Sequence, residues 1–384
     1  ATEFTARYFY GAGVSFAGEM HNDQWTVYGA YNPLRPLYKF QVEDHDNSEF
    51  YISSRSGELI QLTTSEQRLW GYLGAVIHWL YPTLLRQHTA VWSQVVIWLT
   101  ILGIFLTATG LYIGIKQFRR RQSGRLSPYT GINLYHHYFG LVFGILTLSW
   151  VFSGLFSMNP WGALEGEGAA LETERLQGRN LVWDEIDQLI TALAAREDLA
   201  QNLRLEIFVQ AGEPVVISYG EDAERIRLDW QTLQPERLTE DRLSQLAKRI
   251  QPGQEIAAAG LISEPDAYYY SHHVVREFPV YRVIMDDPQQ HRYYLSPVTG
   301  QLIHKVDQEL RWYRWLFYGV HRGDFTVWSR SRPLWDLFML IFLGGVTLVC
   351  GSGCYMALRR LRIDLSLKVG SSGLPVEDIA LKPE

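Results

Sequence analysis

The chain has 384 residues, 47% hydrophobic and 14% aromatic, with 35 Lys and Arg against 41 Asp and Glu and a net charge of −6. That balance leaves no basic footprint for a nucleic-acid partner. With only two cysteines, Cys350 and Cys354, any domain outside a membrane must be stable through its own core.

Residues 1–67 read as the end of an extra-membrane α+β domain. Strands are predicted over 25–31, 37–42 and 49–52, with Ser56 and Gly57 as a hairpin turn. Residues 68–88 are rich in Trp, Tyr, Leu and Gly and bounded by Pro82, which predicts a segment lying at a membrane surface. Three stretches then stand out as uncharged: 91–115 with 25 positions, 138–158 with 21 and 337–358 with 22. About 20 apolar residues suffice to cross a hydrocarbon core of roughly 30 Å. Transmembrane helices are therefore expected over 89–117, 133–158 and 334–358, separated by a cytoplasmic loop at 118–132.

Residues 159–310 form a second extra-membrane domain. Trp183, Ile186, Ile190 and Leu193 keep helical spacing, as do Leu243, Leu246, Ala247 and Ile250 behind a Thr239 cap. Strands are expected over 203–210, 215–219, 225–230, 268–273, 280–286, 292–296 and 301–304. Residues 311–333 are a second interfacial segment, and 359–384 a cytoplasmic tail, disordered beyond Asp364 where Gly370, Ser371, Ser372 and Gly373 follow.

Orientation follows from cations. The first crossing ends in Lys116, Arg119, Arg120 and Arg121, and the third in Arg359, Arg360 and Arg362, so both ends belong in the cytoplasm. Trp92, Trp98, Trp161, Trp328 and Trp335 lie near the ends of the runs, as an aromatic belt would. Cys350 and Cys354 share one face of the third run beside Gly351 and Gly353, as small packing residues do.

An internal repeat links the two halves. Tyr51, Gly57, Leu59 and Ile60 return as Tyr294, Gly300, Leu302 and Ile303, 243 positions later. The same offset carries Pro36 onto Pro279, Tyr38 onto Tyr281, His78 onto His321, Trp92 onto Trp335, Gly110 onto Gly353 and Arg119 onto Arg362. Internal duplication is expected. Since a crossing precedes the second unit, another is expected upstream of Ala1, giving four in all.

Four histidines carry the chemistry. His78 and His321 stand at the same distance before their crossings. A pseudo-twofold arrangement would bring both imidazoles to one point, as the axial ligands of a b-type haem; an interfacial role against lipid headgroups is the plainer alternative. His136 and His137 open the second crossing and could ligate a second, inner haem, the other ligand coming from the upstream crossing. Trp79, Trp312, Trp315 and Tyr318 would pack a porphyrin or a chelate, or simply anchor the segment.

With Tyr294-Leu-Ser-Pro-Val-Thr-Gly300-Gln-Leu302 as a closing hairpin and His136-His137-Tyr-Phe-Gly140-Leu141 as an entry motif, the chain resembles the bacterial PepSY-associated transmembrane family. His136 matches the family histidine, and His137 stands where the family has Arg. The resemblance implies a multi-pass inner-membrane protein with periplasmic α+β (PepSY-like) domains. It further implies one or two haem b groups, a cytoplasmic or quinol electron donor, and reduction of a ferric siderophore or other iron chelate. The competing expectation is a non-enzymatic membrane-anchored PepSY protein for binding, sensing or assembly. No Gly-x-Gly-x-x-Gly, Gly-x-Ser-x-Gly or His-Glu-x-x-His motif is present, so neither a nicotinamide site nor hydrolase chemistry is expected.

Overall fold

The computed structural model describes residues 5, 8–9, 12–196, 204–220, 224–271, 275–326, 329 and 331–371, with side chains to 363. Two compact units emerge: residues 1–158 with 333–384, and residues 159–332.

The first unit begins with an antiparallel meander of β1 (Val14–Met20), β2 (Leu37–Val42), β3 (Glu49–Ser53) and β4 (Leu59–Thr63). Alternation sends Phe40, Val42, Phe50 and Ile52 to one face, where they form the core. Phe40 and Phe50 are cross-strand partners, stacked at 5.1 Å, a contact worth about 0.5–1.5 kcal/mol beyond burial. Gly57 turns the β3–β4 hairpin at φ +73°, a conformation glycine adopts without cost.

The strand expected over 25–31 is absent. Trp25 lies in a turn, and residues Gly29–Leu34 form a 3-10 helix. The backbone there has other partners: Asp23 accepts from the Trp25 amide, and Arg35 takes the carbonyls of Thr26 and Tyr28. The first strand is instead β1, in which Val14, Phe16 and Met20 alternate with Ser15, Ala17 and Glu19 and Gly18 interrupts the apolar series.

A capping box of Thr64 and Gln67 opens α1 (Ser65–Gly71), which runs into a π-helical turn at Tyr72–Val76. The short α2 (Thr83–Arg86) precedes α3 (Thr89–Gln117). Then follow α4 (Ile132–Ser157) and, after the second unit, α9 (Leu334–Ser371). Among the described residues, three helices are long and apolar enough to cross a membrane: α3 with 29 residues, α4 with 26, and α9 over Leu334–Ile363. The α4 helix packs on both α3 and α9. Glycines allow the approach: a Cβ on Gly144 would sit 2.9 Å from Leu111, and one on Gly345 would collide with the Phe143 ring. The helix α9 continues to Ser371, past the expected disorder at Asp364, because Leu365, Leu367 and Lys368 favour helix. Residues 372–384 and Trp328 lie outside the described set.

The second unit contains α5 (Ala170–Gln177) and α6 (Trp183–Ala194), a three-stranded sheet β5-β6-β7 (Arg204–Gln210, Glu213–Tyr219, Arg225–Leu228), and α7 (Glu240–Ile250) capped by Thr239. Then come β8 (Ile256–Ile262), β9 (Val280–Met285), β10 (Arg292–Leu295) and β11 (Leu302–Val306) in sheet order β11-β10-β9-β8. Leu243, Leu246, Ala247 and Ile250 of α7 pack with Leu176 on Tyr281, Val283, Met285, Tyr293 and Leu295. The chain ends this unit with α8 (Gln308–Tyr313) and a π-helical segment Arg314–His321.

Residues 268–270 do not form the expected strand, because the Asp266 carboxylate captures the amides of Tyr268 and Tyr269. His272 and His273 lie outside the described residues. The strand is β8, hidden in the small-residue run Ala257, Ala258, Ala259 and Gly260.

The two four-stranded sheets correspond in detail. Strands β2 and β9, and β4 and β11, have bounds 243 positions apart. The β3–β4 ladder slips between Tyr51 and Ile52, and the β10–β11 ladder between Tyr294 and Leu295. Arg68 donates to the Asn47 carbonyl in the first unit, and Arg311 to the Gln290 carbonyl in the second.

Candidate functional site

His136 and His137 open α4 and are consecutive, so they point to different neighbours. His137 is 5% exposed. Its Nε2 lies 2.8 Å from the Gly114 carbonyl of α3, which can only accept, so Nε2 carries the proton. Its Nδ1, 2.7 Å from Ser127 Oγ, then accepts from the hydroxyl. Both nitrogens are engaged, and His137 offers no lone pair to a metal while these bonds hold. It ties α4 to α3 and to the 118–132 loop.

His136 is arranged differently. Its Nδ1 lies 2.9 Å from Ser352 Oγ of α9. That hydroxyl donates to the carbonyls of Leu348 and Val349, at 2.6 and 3.0 Å, so its oxygen accepts from His136 Nδ1–H. The tautomer leaves Nε2 unprotonated, the form in which imidazole ligates iron, with a hydroxyl orienting the ring from behind. Gly353, where a Cβ would come within 3.3 Å of His136 Cε1, keeps room for the ring. Of the two, His136 could offer Nε2 to a metal, whereas both ring nitrogens of His137 are hydrogen-bonded.

His78 belongs to the first unit and is exposed. Its segment is pinned to α3: the Trp79 carbonyl accepts from Trp92 Nε1 at 3.0 Å, and Tyr81 packs on Trp92 at 5.1 Å. His321 belongs to the second unit, half-buried and stacked on Phe317 at 5.4 Å. Among the described residues no group of three or more His, Cys, Asp or Glu could hold a metal ion. A haem iron needs only one or two protein ligands.

The structure adds a constellation that the sequence reading missed. On the face of the first sheet opposite the core, Lys39 and Tyr51 are cross-strand partners. Lys39 Nζ lies 2.8 Å from Asp23 and 3.0 Å from Glu49, and the Tyr51 hydroxyl donates to both acids at 3.0 and 3.3 Å. In the second sheet Arg282 and Tyr294 are cross-strand partners, and both reach Asp266, at 3.2 and 2.8 Å. The offset of 243 carries Asp23 onto Asp266, Lys39 onto Arg282 and Tyr51 onto Tyr294, and that offset was the available signal.

Burial opposes ionisation of Asp23, but the bond and charge of Lys39, with help from Tyr51, hold its carboxyl below the ordinary value. Burial also opposes the Lys39 charge, and Asp23 and Glu49 outweigh it, raising the ammonium. Burial and then Asp23 push the Tyr51 phenol far up; burial and then Asp266 do the same to Tyr294. His304, opposite Tyr294 on β11, is pushed down to about 4, by burial first and then by Arg276. A cavity of about 260 Å³ beside it is lined by Gly168, Ala169, Leu302, Ile303, His304, Lys305 and Leu310; Lys305 is already paired with Glu172 at 2.7 Å. These hydrogen-bonded groups form a polar layer on each sheet.

Compared with family models, curated proteins and solved structures, the chain finds no match.

Proposed function

We propose that this chain is a multi-pass protein of the bacterial inner membrane, built from a duplicated unit, that serves as a haem-bearing reductase for a ferric chelate outside the cytoplasm. The observation that carries the reading is His136: a serine hydroxyl from a neighbouring helix holds Nδ1–H and leaves Nε2 as a lone pair. Bound haem would supply one-electron transfer. His136 would hold it; His78 and His321, at matched positions of the repeat, are the other proposed ligands.

The membrane assignment rests on three apolar helices, of whose hydrophobic windows only 6%, 17% and 6% is buried within the protein. Leaving that much apolar surface in water would be costly, at about 25 cal/mol per Å². The arginines that follow α3 and those at 359–362, beyond the apolar stretch of α9, support a cytoplasmic side for both, and the two four-stranded sheets would then be periplasmic. The corresponding registers of the sheets support duplication. The substrate reading is a siderophore-type complex: hard oxygen ligands favour ferric over ferrous iron, so reduction loosens the chelate. A cytoplasmic or quinol donor would supply the electron.

The test is a dithionite-reduced minus oxidised spectrum of the full chain purified in detergent. A sharp Soret shift and split α band are expected, with haem content lowered by His136→Ala and unaffected by His137→Gln if the latter stays folded. A colourless protein reconstituted with excess hemin would overturn the reading and favour a non-enzymatic binding or assembly module.

A further inference from the structure

The second sheet holds a cluster that the first lacks. Asp44 and Asp287 organise the same turn, each accepting from the amide four residues on, that of Ser48 at 2.8 Å and that of His291 at 3.1 Å. The repeat thus places a histidine where the first sheet has a serine. At the same offset Lys305 stands for Leu62, and Asp307 for Thr64. All three replacements converge on Glu167, in the linker between α4 and α5. Lys305 Nζ lies 3.4 Å and His291 Nε2 3.7 Å from its Oε2. Asp307, which caps α8 at the Leu310 amide, also accepts from the Glu167 amide at 2.9 Å. The linker presses so close there that a Cβ on Gly166 would lie 2.8 Å from Asp307 Oδ2. Gly168 and Ala169, next along it, wall the cavity of about 260 Å³ beside Leu302–Lys305 of β11.

His291 is 6% exposed, and its Nδ1 lies 2.6 Å from Asp287 Oδ2. Burial opposes ionisation of Asp287, but the bond from His291 holds the acid below its ordinary value, so Asp287 accepts and Nδ1 carries the proton. In the neutral ring Nε2 is then a lone pair, and among the described residues nothing donates to it. It faces the Glu167 carboxylate, acceptor against acceptor. A second proton on the ring would sit on Nε2 and convert that contact into a charge-assisted bond. Histidine is the side chain that makes this change between pH 5 and 8. The Glu167 side chain is 57% exposed, so it can relay the proton from water.

The other groups around the ring do not replace Glu167. Glu172 of α5 takes Lys305 at 2.7 Å and the hydroxyl of Tyr293, whose ring stacks on His291 at 5.9 Å. Lys305 is therefore shared between two acids. Arg311 of α8 is bonded to the Gln290 carbonyl, and Gln251, after α7, brings only a neutral amide. We propose that residues 163–169 form a strap over the free edge of β11, latched by Glu167, and that a proton on His291 draws the latch shut. The strap is independent of any haem.

The test is hydrogen exchange of the full chain in detergent at pH 8 and pH 5.5, corrected for the intrinsic dependence of exchange on pH. In wild type, residues 163–169 should be roughly threefold to fivefold more protected at pH 5.5, while β10 and β11 show no gain. His291→Gln should abolish the difference. So should Glu167→Gln, which alters a half-exposed side chain and covers the case in which His291→Gln fails to fold. Equal strap protection at the two pH values in wild type, or an undiminished difference in either folded variant, would overturn the proposal. A gain spread evenly over the whole second unit would overturn it as well, because a latch acts on the strap alone.

Discussion

The two four-stranded sheets hold the same acid–tyrosine contact in different electrostatic company. In the first, Asp23 shares Lys39 and the Tyr51 hydroxyl with a second acid, Glu49. In the second, position 292 holds Arg where the first has Glu49, and Asp266 serves Arg282, Tyr294 and two backbone amides without a second acid. Arg292 turns instead to the Tyr268 ring at 4.7 Å. The retained part is therefore the pin: a carboxylate from the loop after the first strand, fastened to a tyrosine at the centre of the sheet. The net charge around it is free to vary, because the backbone registers set the contact. One sheet has a spare acceptor and the other has none.

That difference sets the largest expected effect. Asp266→Ala would strip the acceptor from the Tyr268 and Tyr269 amides, from Arg282 and from the buried Tyr294 hydroxyl. Removing one member of such a network costs about 3–5 kcal/mol. Asp23→Ala leaves Lys39 and Tyr51 on Glu49 and orphans only the Trp25 amide, a loss of about 1–2 kcal/mol. Hydrogen exchange of the full chain reads each sheet separately. Faster exchange in β9 and β10 of Asp266→Ala than in β2 and β3 of Asp23→Ala is expected; the reverse order would refute the redundancy of Glu49.

Acid sharpens the contrast next. His304 faces Tyr294 across the β10–β11 ladder, and Gln61 occupies the corresponding place facing Tyr51. The folded value of His304, about 4, lies below the ordinary 6.5. As pH falls below 6.5 the unfolded chain takes up a proton that folded His304 refuses. The second sheet thus loses stability between pH 6.5 and about 4, by roughly 3 kcal/mol at most, and the loss levels off below. The first sheet has no such group in that window. Asp23, held low, contributes stability above its unfolded value near 3.8 that disappears only as pH drops through its lower folded value. Exchange measured at pH 7, 5.5 and 4.5 should show β10 and β11 loosening before β3 and β4, and His304→Gln should abolish the lag. Parallel loosening of both sheets in that variant and in wild type would break the assignment.

How far the sequence carries is itself uneven between regions. The three apolar helices, strands β2 to β4 and β9 to β11, and the helices α6 and α7 follow from periodicity and caps, because burial on one face leaves a readable pattern. Strands β1 and β8 are harder to read: Gly18 interrupts the apolar series of the first, and three alanines and a glycine fill the middle of the second. The loops after them resemble strands in sequence because their aromatics mimic β propensity, while Asp23, Asp266 and Arg35 divert the backbone bonds. Position along the chain marks four histidines as candidates. Only geometry separates His136, with a nitrogen left over, from His137, with none.

The smallest effect isolates what the two sheets share. Tyr51→Phe and Tyr294→Phe each remove one hydroxyl from a fully buried ring. In neither sheet is a carboxylate abandoned. Asp23 and Glu49 keep Lys39, and Asp266 keeps Arg282 and two amides. Ring packing survives as well, including the Tyr269–Tyr294 stack at 4.7 Å. The cost should therefore be that of one hydrogen bond, about 1 kcal/mol, and nearly equal in the two sheets. Equal losses for the tyrosines beside unequal losses for the aspartates would separate the common pin from its variable surroundings. A severe Tyr294→Phe with a silent Tyr51→Phe would place the asymmetry in the phenol itself and undo the comparison.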